Sequence, residues 1–332
     1  MNIYLTGSEG FIGSHLTERL VFEGHKVTCL IQYNFQNSHG WLDFIDKKAK
    51  NAIEIIPGDV RDKELIDKSI KKKTEVIFNL AALIGIPYSY NAPQSYVETN
   101  INGALNILNR ARKLKNLQSL VQTSTSEVYG TPKKLPITEH HNLSAQSPYA
   151  ASKIAADQLA LSFFKSFGTP VSIIRPFNTY GPRQSTRAII PTIITQALKY
   201  SEIEVGSTFP TRDFVHVSDT VTGFLKFLKC KKAIGETINL GTGYEISIGE
   251  LIKIISKILK KNIKIKSTKN RKRPIRSEVE RLLASNKKAK KILRWVPRYQ
   301  GKDGLVKGLK STVDWYKIKN NILKFKTTDF TV

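Results

Sequence analysis

The chain has 332 residues, of which 40% are hydrophobic and 24% charged, with a formal net charge of +26 at pH 7. This composition is typical of a globular protein with one large or two medium lobes around a sizeable core. No apolar run approaches the roughly 18 residues that a transmembrane helix needs, and the N-terminus lacks a signal-peptide pattern. Cys29 and Cys230 lie in apolar surroundings, so we expect buried free thiols and a cytoplasmic protein. The six histidines show no metal-ligand spacing, and we expect no metal.

The positive charge is concentrated in the last third of the chain. Residues 251–332 contain 25 basic and 5 acidic side chains, a net charge of +20. The first 250 residues contain 28 basic and 22 acidic side chains, a net charge of only +6. A basic segment can bind nucleic acid or an anionic membrane. Here the lysines alternate with apolar residues, as in LIKIISKILKKNIKIK, which favours a solvated face on a packed lobe. We therefore expect neither a nucleic-acid nor a membrane partner, although attraction of an anionic substrate remains compatible with this charge.

Strand and helix patterns alternate through the first half. Buried strands are predicted for NIYLTG, HKVTCLI, AIEIIPGD, EVIFNLAA, SLVQTST and VSIIRPF, and helices for FIGSHLTERLVFEG, KELIDKSIKK, INGALNILNRARKL and SPYAASKIAADQLALSFFKSFG. This alternation predicts an α/β fold with a doubly wound parallel sheet, the Rossmann arrangement. We assign residues 1–177, with return segments at about 214–242, to this dinucleotide-binding domain. Residues 178–213 and 243–332 are expected to form a smaller substrate-binding lobe over the carboxyl edge of the sheet.

A glycine motif, TGSEGFIGSHL, follows the first predicted strand and opens the first helix. Gly7 permits a tight turn, Gly10 lets a pyrophosphate approach the backbone, and Gly13 allows close helix–strand packing. We predict that the cofactor contacts these glycines and also Phe11, Ile12, Asp59, Val60, Leu80, Ala81 and Ala82.

The identity of the dinucleotide is less clear from the sequence. Asp59, in GDVRD, is expected beside the adenine. The second strand ends in CLIQYNFQN, with neither the acidic residue typical of NAD users nor the arginine that accommodates a 2′-phosphate. The lack of a cation favours NAD, and NADP stays open.

A candidate catalytic group surrounds the stretch TSTSEVYG. Tyr149 and Lys153 are four residues apart in YAASK and project from one helix face. A nearby ammonium, with a positive nicotinamide ring, is expected to lower the pKa of Tyr149 and make it a base. Thr125 precedes Tyr149 by 24 residues and can hydrogen-bond the same substrate hydroxyl, and Glu127 adds a carboxylate. Such a spacing alone is usually structural, but together with the glycine motif it indicates an active site.

These motifs, with RPFNTYGPRQ and RDFVHVSD, resemble the extended short-chain dehydrogenase/reductase family of nucleotide-sugar epimerases and dehydratases over essentially the whole chain. Segments such as QYNFQNSHGWLD, AALIGIPYSY and RPIRSEVERLLASNKKAKKIL are most similar to the N-acetylglucosamine nucleotide 4,6-dehydratases of legionaminic acid synthesis. The resemblance implies that Tyr149 takes the C4 hydroxyl proton during oxidation, that Lys153 assists it, and that Glu127 removes the C5 hydrogen before water leaves C6. The cofactor is then recycled in place and tightly bound.

One position departs from part of the family. Ser126 stands where the dTDP-glucose dehydratases have an aspartate that protonates the leaving hydroxyl. The GDP-mannose dehydratases have Thr-Ser-Glu, and there one glutamate can act as both base and acid. The UDP-glucuronate decarboxylases also have Thr-Ser-Glu, so this trio does not separate dehydration from decarboxylation.

The resemblance also implies a substrate site and a dimer. The diphosphate and nucleotide, UDP or GDP, would contact Asn178, Arg187, Arg212 and Arg273. The helix after Asn100 and the YAASK helix would form a four-helix interface in a homodimer. Alternatives are a UDP-glucuronate decarboxylase, a 4-epimerase, and, in another class, a non-catalytic dinucleotide sensor, which would be expected to lose Tyr149 or Lys153.

Overall fold

The structure is a computed structural model that describes residues 1–268 and 274–325. Its largest sheet consists of β1 (Asn2–Thr6), β2 (Lys26–Gln32), β3 (Ile53–Gly58), β4 (Val76–Asn79), β5 (Ser119–Thr123), β6 (Val171–Pro176) and β10 (Thr237–Leu240), numbered along the chain. The strands are parallel and lie in the order β3-β2-β1-β4-β5-β6-β10. The order reverses between β1 and β4, and ligands of such sheets bind in the crevice at that point. The predicted doubly wound α/β fold is confirmed.

Helices cover both faces of this sheet. The chain forms α1 (Phe11–Phe22), α2 (Lys47–Asn51), α3 (Lys63–Ser69), α4 (Ile86–Asn91), α5 (Pro93–Tyr96), α6 (Gly103–Ala111), α7 (Pro148–Phe167), α8 (Ile189–Lys199), α9 (Val217–Phe227), α10 (Ile248–Leu259), α11 (Gly301–Lys317) and α12 (Lys319–Ile322). Helices α1 and α9 pack together on one face, and α6 packs with α7 on the other.

Neighbouring strand residues enter different cores, as the two-residue period of a strand requires. Leu5 and Phe78 join the cluster under α1 and α9, whereas Tyr4 and Ile77 join the cluster under α6 and α7. Both faces are therefore buried, which explains the nearly continuous apolar runs of the predicted strands.

A second lobe contains the remaining short strands, β7 (Asn178–Tyr180), β8 (Glu202–Val205), β9 (Thr211–His216), β11 (Glu245–Ser247), β12 (Lys264–Ser267) and β13 (Arg281–Leu282). Strand β9 pairs with β7, β11 and β13, and β8 pairs with β12. Helices α8, α10 and α11 enclose its apolar core. The boundary expected near residue 214 falls inside β9, after which α9 and β10 return to the large sheet.

Helix α10 shows how the lysine-rich segment folds. Leu251 and Ile255 are buried in the core of the second lobe, whereas Lys253 and Lys257 are exposed. Apolar residues at helical spacing face inward, so the lysines between them form the solvated face that the pattern indicates. Both cysteines are free thiols, and Cys29 is buried as expected, but Cys230 is only half-buried.

Candidate active site

The glycine motif forms a turn in which side chains would not fit. Gly7 has a φ of +66°, and a Cβ there would lie 2.9 Å from the amide nitrogen of Ala81. A Cβ on Gly13 would overlap the carbonyl oxygen of Gly7. The turn therefore brings the carboxyl ends of β1 and β4 and the start of α1 into close contact, which requires glycine at both positions.

The start of α1 is suited to an anion. Gly10 is the N-cap residue, no side chain caps it, and the first turn has no acidic side chain. Phe11 and Ile12, the next two residues, pack partly against the core and fix the helix in place. The backbone N–H groups of a first helical turn have no partners within the helix, and the helix dipole favours negative charge there. This backbone cradle fits the pyrophosphate of a dinucleotide.

Thr6 attaches the segment after β4 to the glycine turn. Its hydroxyl donates to Asn79 at 2.7 Å and accepts from the N–H groups of Leu80 and Ala81 at 3.1 and 3.0 Å. The segment after β4 therefore borders the crevice where the strand order reverses between β1 and β4. It contains Leu80, Ala81 and Ala82, which the sequence predicts to contact the cofactor.

Asp59 and Val60 follow β3 at the same edge of the sheet. The Asp59 carboxylate pairs with Arg61 at 2.6 Å, and this hydrogen bond lowers the pKa of Asp59. Val60 is buried against Gly103, where a Cβ would lie 2.8 Å from its methyl carbon. The placement of these residues beside an adenine stays a prediction.

The structure brings the predicted catalytic residues together. Thr125 follows β5 and accepts a hydrogen bond from the N–H of Glu127 at 3.2 Å, which starts the 3₁₀ turn Ser126–Tyr129. Tyr149 lies in the first turn of α7, one turn before Lys153, and its phenol hydrogen-bonds the Thr125 side chain. Ser126, Glu127, Tyr149 and Lys153 are all buried.

In the protein alone, the pKa of Tyr149 is raised. The lowering expected with a positive nicotinamide ring beside the phenol stays a prediction. Burial raises the pKa of Tyr149, the hydrogen bond with Thr125 lowers it, and the negative Glu127 nearby raises it again. Desolvation disfavours the phenolate, and it dominates here because the ring is buried. The extent of that burial could not be predicted from the spacing of the residues.

Lys153 belongs to a buried charged network that sequence reasoning missed. Burial lowers the pKa of Lys153 to about 8, and the negative Asp157, one turn along α7, raises it. Asp157 pairs with Arg175 at 2.9 Å and accepts from Ser124 at 2.7 Å. The Lys-x-x-x-Asp spacing within KIAAD was the available signal, since residues four apart share a helix face.

Asn100 and Tyr96 are two further residues that the sequence did not single out. Asn100 accepts from the N–H of Leu83 at 2.8 Å and donates to Ser152 at 2.9 Å, so it joins the segment after β4 to α7. The ring of Tyr96 contacts that of Tyr149, with centroids 6.2 Å apart. These contacts hold the catalytic helix against the crevice.

A cavity of about 250 Å³ is lined by three of the predicted substrate residues, Asn178, Arg187 and Arg212, together with Glu278. Arg212 pairs with Glu278 at 3.0 Å. Arg187 lies beside Tyr96: burial raises the pKa of that phenol to about 12, and the positive guanidinium acts in the opposite direction. The fourth predicted residue, Arg273, lies outside the described residues.

Two negative findings apply to residues 1–268 and 274–325. No group of three or more side chains of the metal-ligating types is placed to hold a metal ion. No helix there has the length and apolarity needed to cross a membrane.

A Rossmann sheet, a glycine cradle and a Thr-Tyr-Lys group with a buried tyrosine and lysine define a dinucleotide-binding enzyme. The chain matches the family model for GDP-mannose 4,6 dehydratase over residues 5–307. It therefore belongs to that family of nucleotide-sugar dehydratases, epimerases and decarboxylases within the extended short-chain dehydrogenases.

Relatives within this family carry out different reactions. A putative UDP-glucose 4-epimerase of Methanocaldococcus jannaschii is 33% identical, over 96% of this chain and 99% of the relative. A UDP-N-acetyl-α-D-glucosaminuronate decarboxylase of Bacillus cytotoxicus is 35% identical, over 79% of this chain and 81% of the relative. The solved structure of dTDP-glucose 4,6-dehydratase from Bacillus anthracis in complex with NAD superposes on this chain with a TM-score of 0.82. The match covers 96% of this chain and 97% of the other, and the two sequences are 29% identical. Likeness to relatives alone does not choose among the reactions.

Proposed function

We propose that this protein is a nucleotide-sugar 4,6-dehydratase that converts UDP- or GDP-N-acetylglucosamine to the 4-keto-6-deoxy sugar. The observation that carries the proposal is the position of Glu127, whose backbone N–H bonds to Thr125 and whose charge acts on Tyr149. A 4-epimerase needs no carboxylate beside the phenol. A dehydratase needs one, because a proton must leave C5 after C4 has been oxidised.

We propose NAD as the cofactor, as in the B. anthracis structure. The glycine cradle and the first turn of α1 would hold its pyrophosphate, and Leu80, Ala81 and Ala82 would line it. Bound there, NAD supplies hydride acceptance at C4 and hydride return at C6.

The side chains of this chain perform the proton transfers. Tyr149 takes the proton of the C4 hydroxyl, with Thr125 orienting that hydroxyl through the hydrogen bond it shares with the phenol. Asp157 raises the pKa of Lys153 and so helps to keep it charged. A positive Lys153, one turn along α7, would favour the ionised phenol, whereas the negative Asp157 itself acts on Tyr149 in the opposite direction. Glu127 removes the C5 proton, which the C4 ketone has acidified, and then delivers it to the departing C6 oxygen, which leaves as water. Once hydride has returned to C6, a proton from solvent is added at C5. Ser126 cannot serve as that acid, because a hydroxyl is too weak an acid at neutral pH.

The test is mass spectrometry of the purified protein incubated in heavy water with UDP- and GDP-N-acetylglucosamine separately. Loss of one water with a deuterium gained at C5 would support dehydration and identify the nucleotide. Interconversion of C4 epimers without loss of water would instead indicate an epimerase.

Decarboxylation is the second candidate, and the position of Arg187 favours it. Arg187 lies beside Tyr96, whose ring contacts Tyr149, and this position supports a role for its guanidinium in pairing with a C6 carboxylate. The relative from B. cytotoxicus acts on such a uronate. Release of carbon dioxide from UDP-N-acetylglucosaminuronate or UDP-glucuronate, with no loss of water from N-acetylglucosamine nucleotides, would replace the dehydratase proposal.

We further propose a homodimer in which α6 and α7 of two chains form a four-helix interface. Leu105 of α6 and Leu161 of α7 are only partly buried within one chain, which supports a further apolar contact. Sedimentation at twice 37.4 kDa would agree with it, and a single species at 37.4 kDa would refute it.

We place the reaction in the cytoplasm, where free thiols persist, and its product in legionaminic acid synthesis, as the residue resemblance implies.

A further inference from the structure

The end of β2 has no acidic residue of its own, but a carboxylate reaches it from the glycine turn. Gln32 is the last residue of β2, and its N–H donates to Oε1 of Glu9 at 3.0 Å. Glu9 is the residue before Gly10 in TGSEGFIG, so the turn that cradles the pyrophosphate also places a negative charge at the end of the second strand.

Contacts on the other side hold Glu9 in this position. The N–H of Trp41 donates to its carbonyl oxygen at 3.0 Å. Gly40 has a φ of +56°, and a Cβ there would lie 2.9 Å from the same carbonyl oxygen. The 3₁₀ turn Gly40–Phe44 therefore packs directly on Glu9, and the residue is fixed between that turn and β2.

The second carboxylate oxygen of Glu9 is unusual. Oε2 is buried and has no hydrogen-bond partner among the residues that the structure describes. Burial also raises the pKa of the Glu9 carboxyl. A buried carboxylate oxygen without a donor is costly, because it has lost water and gained nothing in return. A hydroxyl group brought to this point would remove that cost.

In Rossmann folds the adenosine ribose of the dinucleotide lies at the end of the second strand, where a carboxylate accepts from its 2′-hydroxyl. We propose that Glu9 supplies this carboxylate: Oε2 accepts a hydrogen bond from the ribose 2′-hydroxyl, and its charge disfavours the 2′-phosphate of NADP. Glu9 thus selects NAD from within the glycine motif. The inference rests on the proposed function only in requiring a bound dinucleotide, and it holds whichever sugar reaction the enzyme performs.

A purely structural role for Glu9, accepting from Gln32, makes different predictions. The variant Glu9→Gln keeps an acceptor oxygen for that N–H and removes only the charge. Glu23→Gln is the matched control, since Glu23 is an exposed carboxylate just after α1 that pairs with Arg19. Dissociation constants for NAD, NADP and NAD lacking the adenosine 2′-hydroxyl are measured by calorimetry on dinucleotide-free protein. Thermal unfolding of each variant is recorded alongside.

The expected result has three parts. The unmodified protein binds NAD more tightly than both other dinucleotides, by about tenfold for the loss of a hydrogen bond to a charged group. Glu9→Gln loses about tenfold in NAD affinity. It discriminates little among NAD, NADP and 2′-deoxy NAD, because the carboxylate that distinguishes them is gone. Glu23→Gln behaves like the unmodified protein.

Equal affinity of the unmodified protein for NAD and 2′-deoxy NAD would overturn the inference. This comparison needs no variant, so it decides the question even if Glu9→Gln does not fold. Unchanged selectivity in a folded Glu9→Gln protein would also overturn it. Selective NAD binding that depends on Glu9, without turnover of any nucleotide sugar, would sustain the inference while the proposed function failed.

Discussion

Asp157 is the residue whose removal tests the site most severely. Its side chain is fully buried, and that of Arg175 is 3% exposed, so neither group can recover hydration when the other is lost. Removing one partner of a buried ion pair costs about 3–5 kcal/mol, because the remaining charge is left uncompensated. Arg175 keeps its hydrogen bond to Tyr129 at 2.9 Å and its contact with that ring. We therefore expect Asp157→Asn to lower the free energy of unfolding by about 3 kcal/mol.

The same substitution also changes the electrostatics of the site. Asp157 raises the pKa of Lys153 against the lowering effect of burial, so without Asp157 that pKa falls below about 8. A larger fraction of Lys153 is then neutral at neutral pH. If positive Lys153 favours the Tyr149 phenolate, the alkaline limb of the turnover profile moves to lower pH. A role limited to folding would not move it.

The assay for Asp157→Asn is urea unfolding followed by fluorescence and circular dichroism, together with turnover between pH 6 and 10. Asp314→Asn is the control, because Asp314 is 56% exposed and lies 3.8 Å from Lys317. Exposed pairs contribute at most about 1 kcal/mol. A loss in Asp157→Asn as small as that of the control, with an unmoved pH profile, would refute the reasoning. In the double variant Asp157→Leu, Arg175→Met, we expect a smaller loss than the sum of the single variants.

Three further predictions concern the catalytic group and the cradle. Glu127→Gln should retain dinucleotide binding and lose at least about 100-fold in dehydration, measured by mass spectrometry, and full dehydration would remove Glu127 from the mechanism. Lys153 has its pKa lowered to about 8 in the fold, so the unfolded chain binds more protons above that pH. The free energy of unfolding should therefore rise from pH 8 to 9.5 by about 2 kcal/mol more than in Lys153→Met, and parallel curves would count against it. Gly13→Ala should abolish dinucleotide binding in calorimetry, because its Cβ would overlap the Gly7 carbonyl oxygen. Gly249→Ala is the control and should bind normally, because the nearest atom to its Cβ would be 3.6 Å away. Retained binding in Gly13→Ala would show that the turn can relax.

The sequence by itself determined the layered fold and the members of the catalytic group. Apolar strand runs and intervening amphipathic helices specify a doubly wound sheet, since both periodicities are local properties of the chain. Gly7, Gly13, Tyr149 and Lys153 were identifiable for the same reason. Their spacing is short, and each residue type is the one that the backbone turn or the shared helix face requires.

Tertiary structure alone decided the electrostatics. Burial is a property of the packed lobes, so the raised pKa of Tyr149 in the protein alone could not follow from the YAASK spacing. Arg175 reaches Asp157 only because β6 packs against α7 in the fold. Likewise, the carboxylate at the end of β2 comes from Glu9, 23 residues before Gln32 in the chain. Only when β1, α1 and β2 are packed side by side does a residue of the glycine turn occupy the place that the second strand left without an acid.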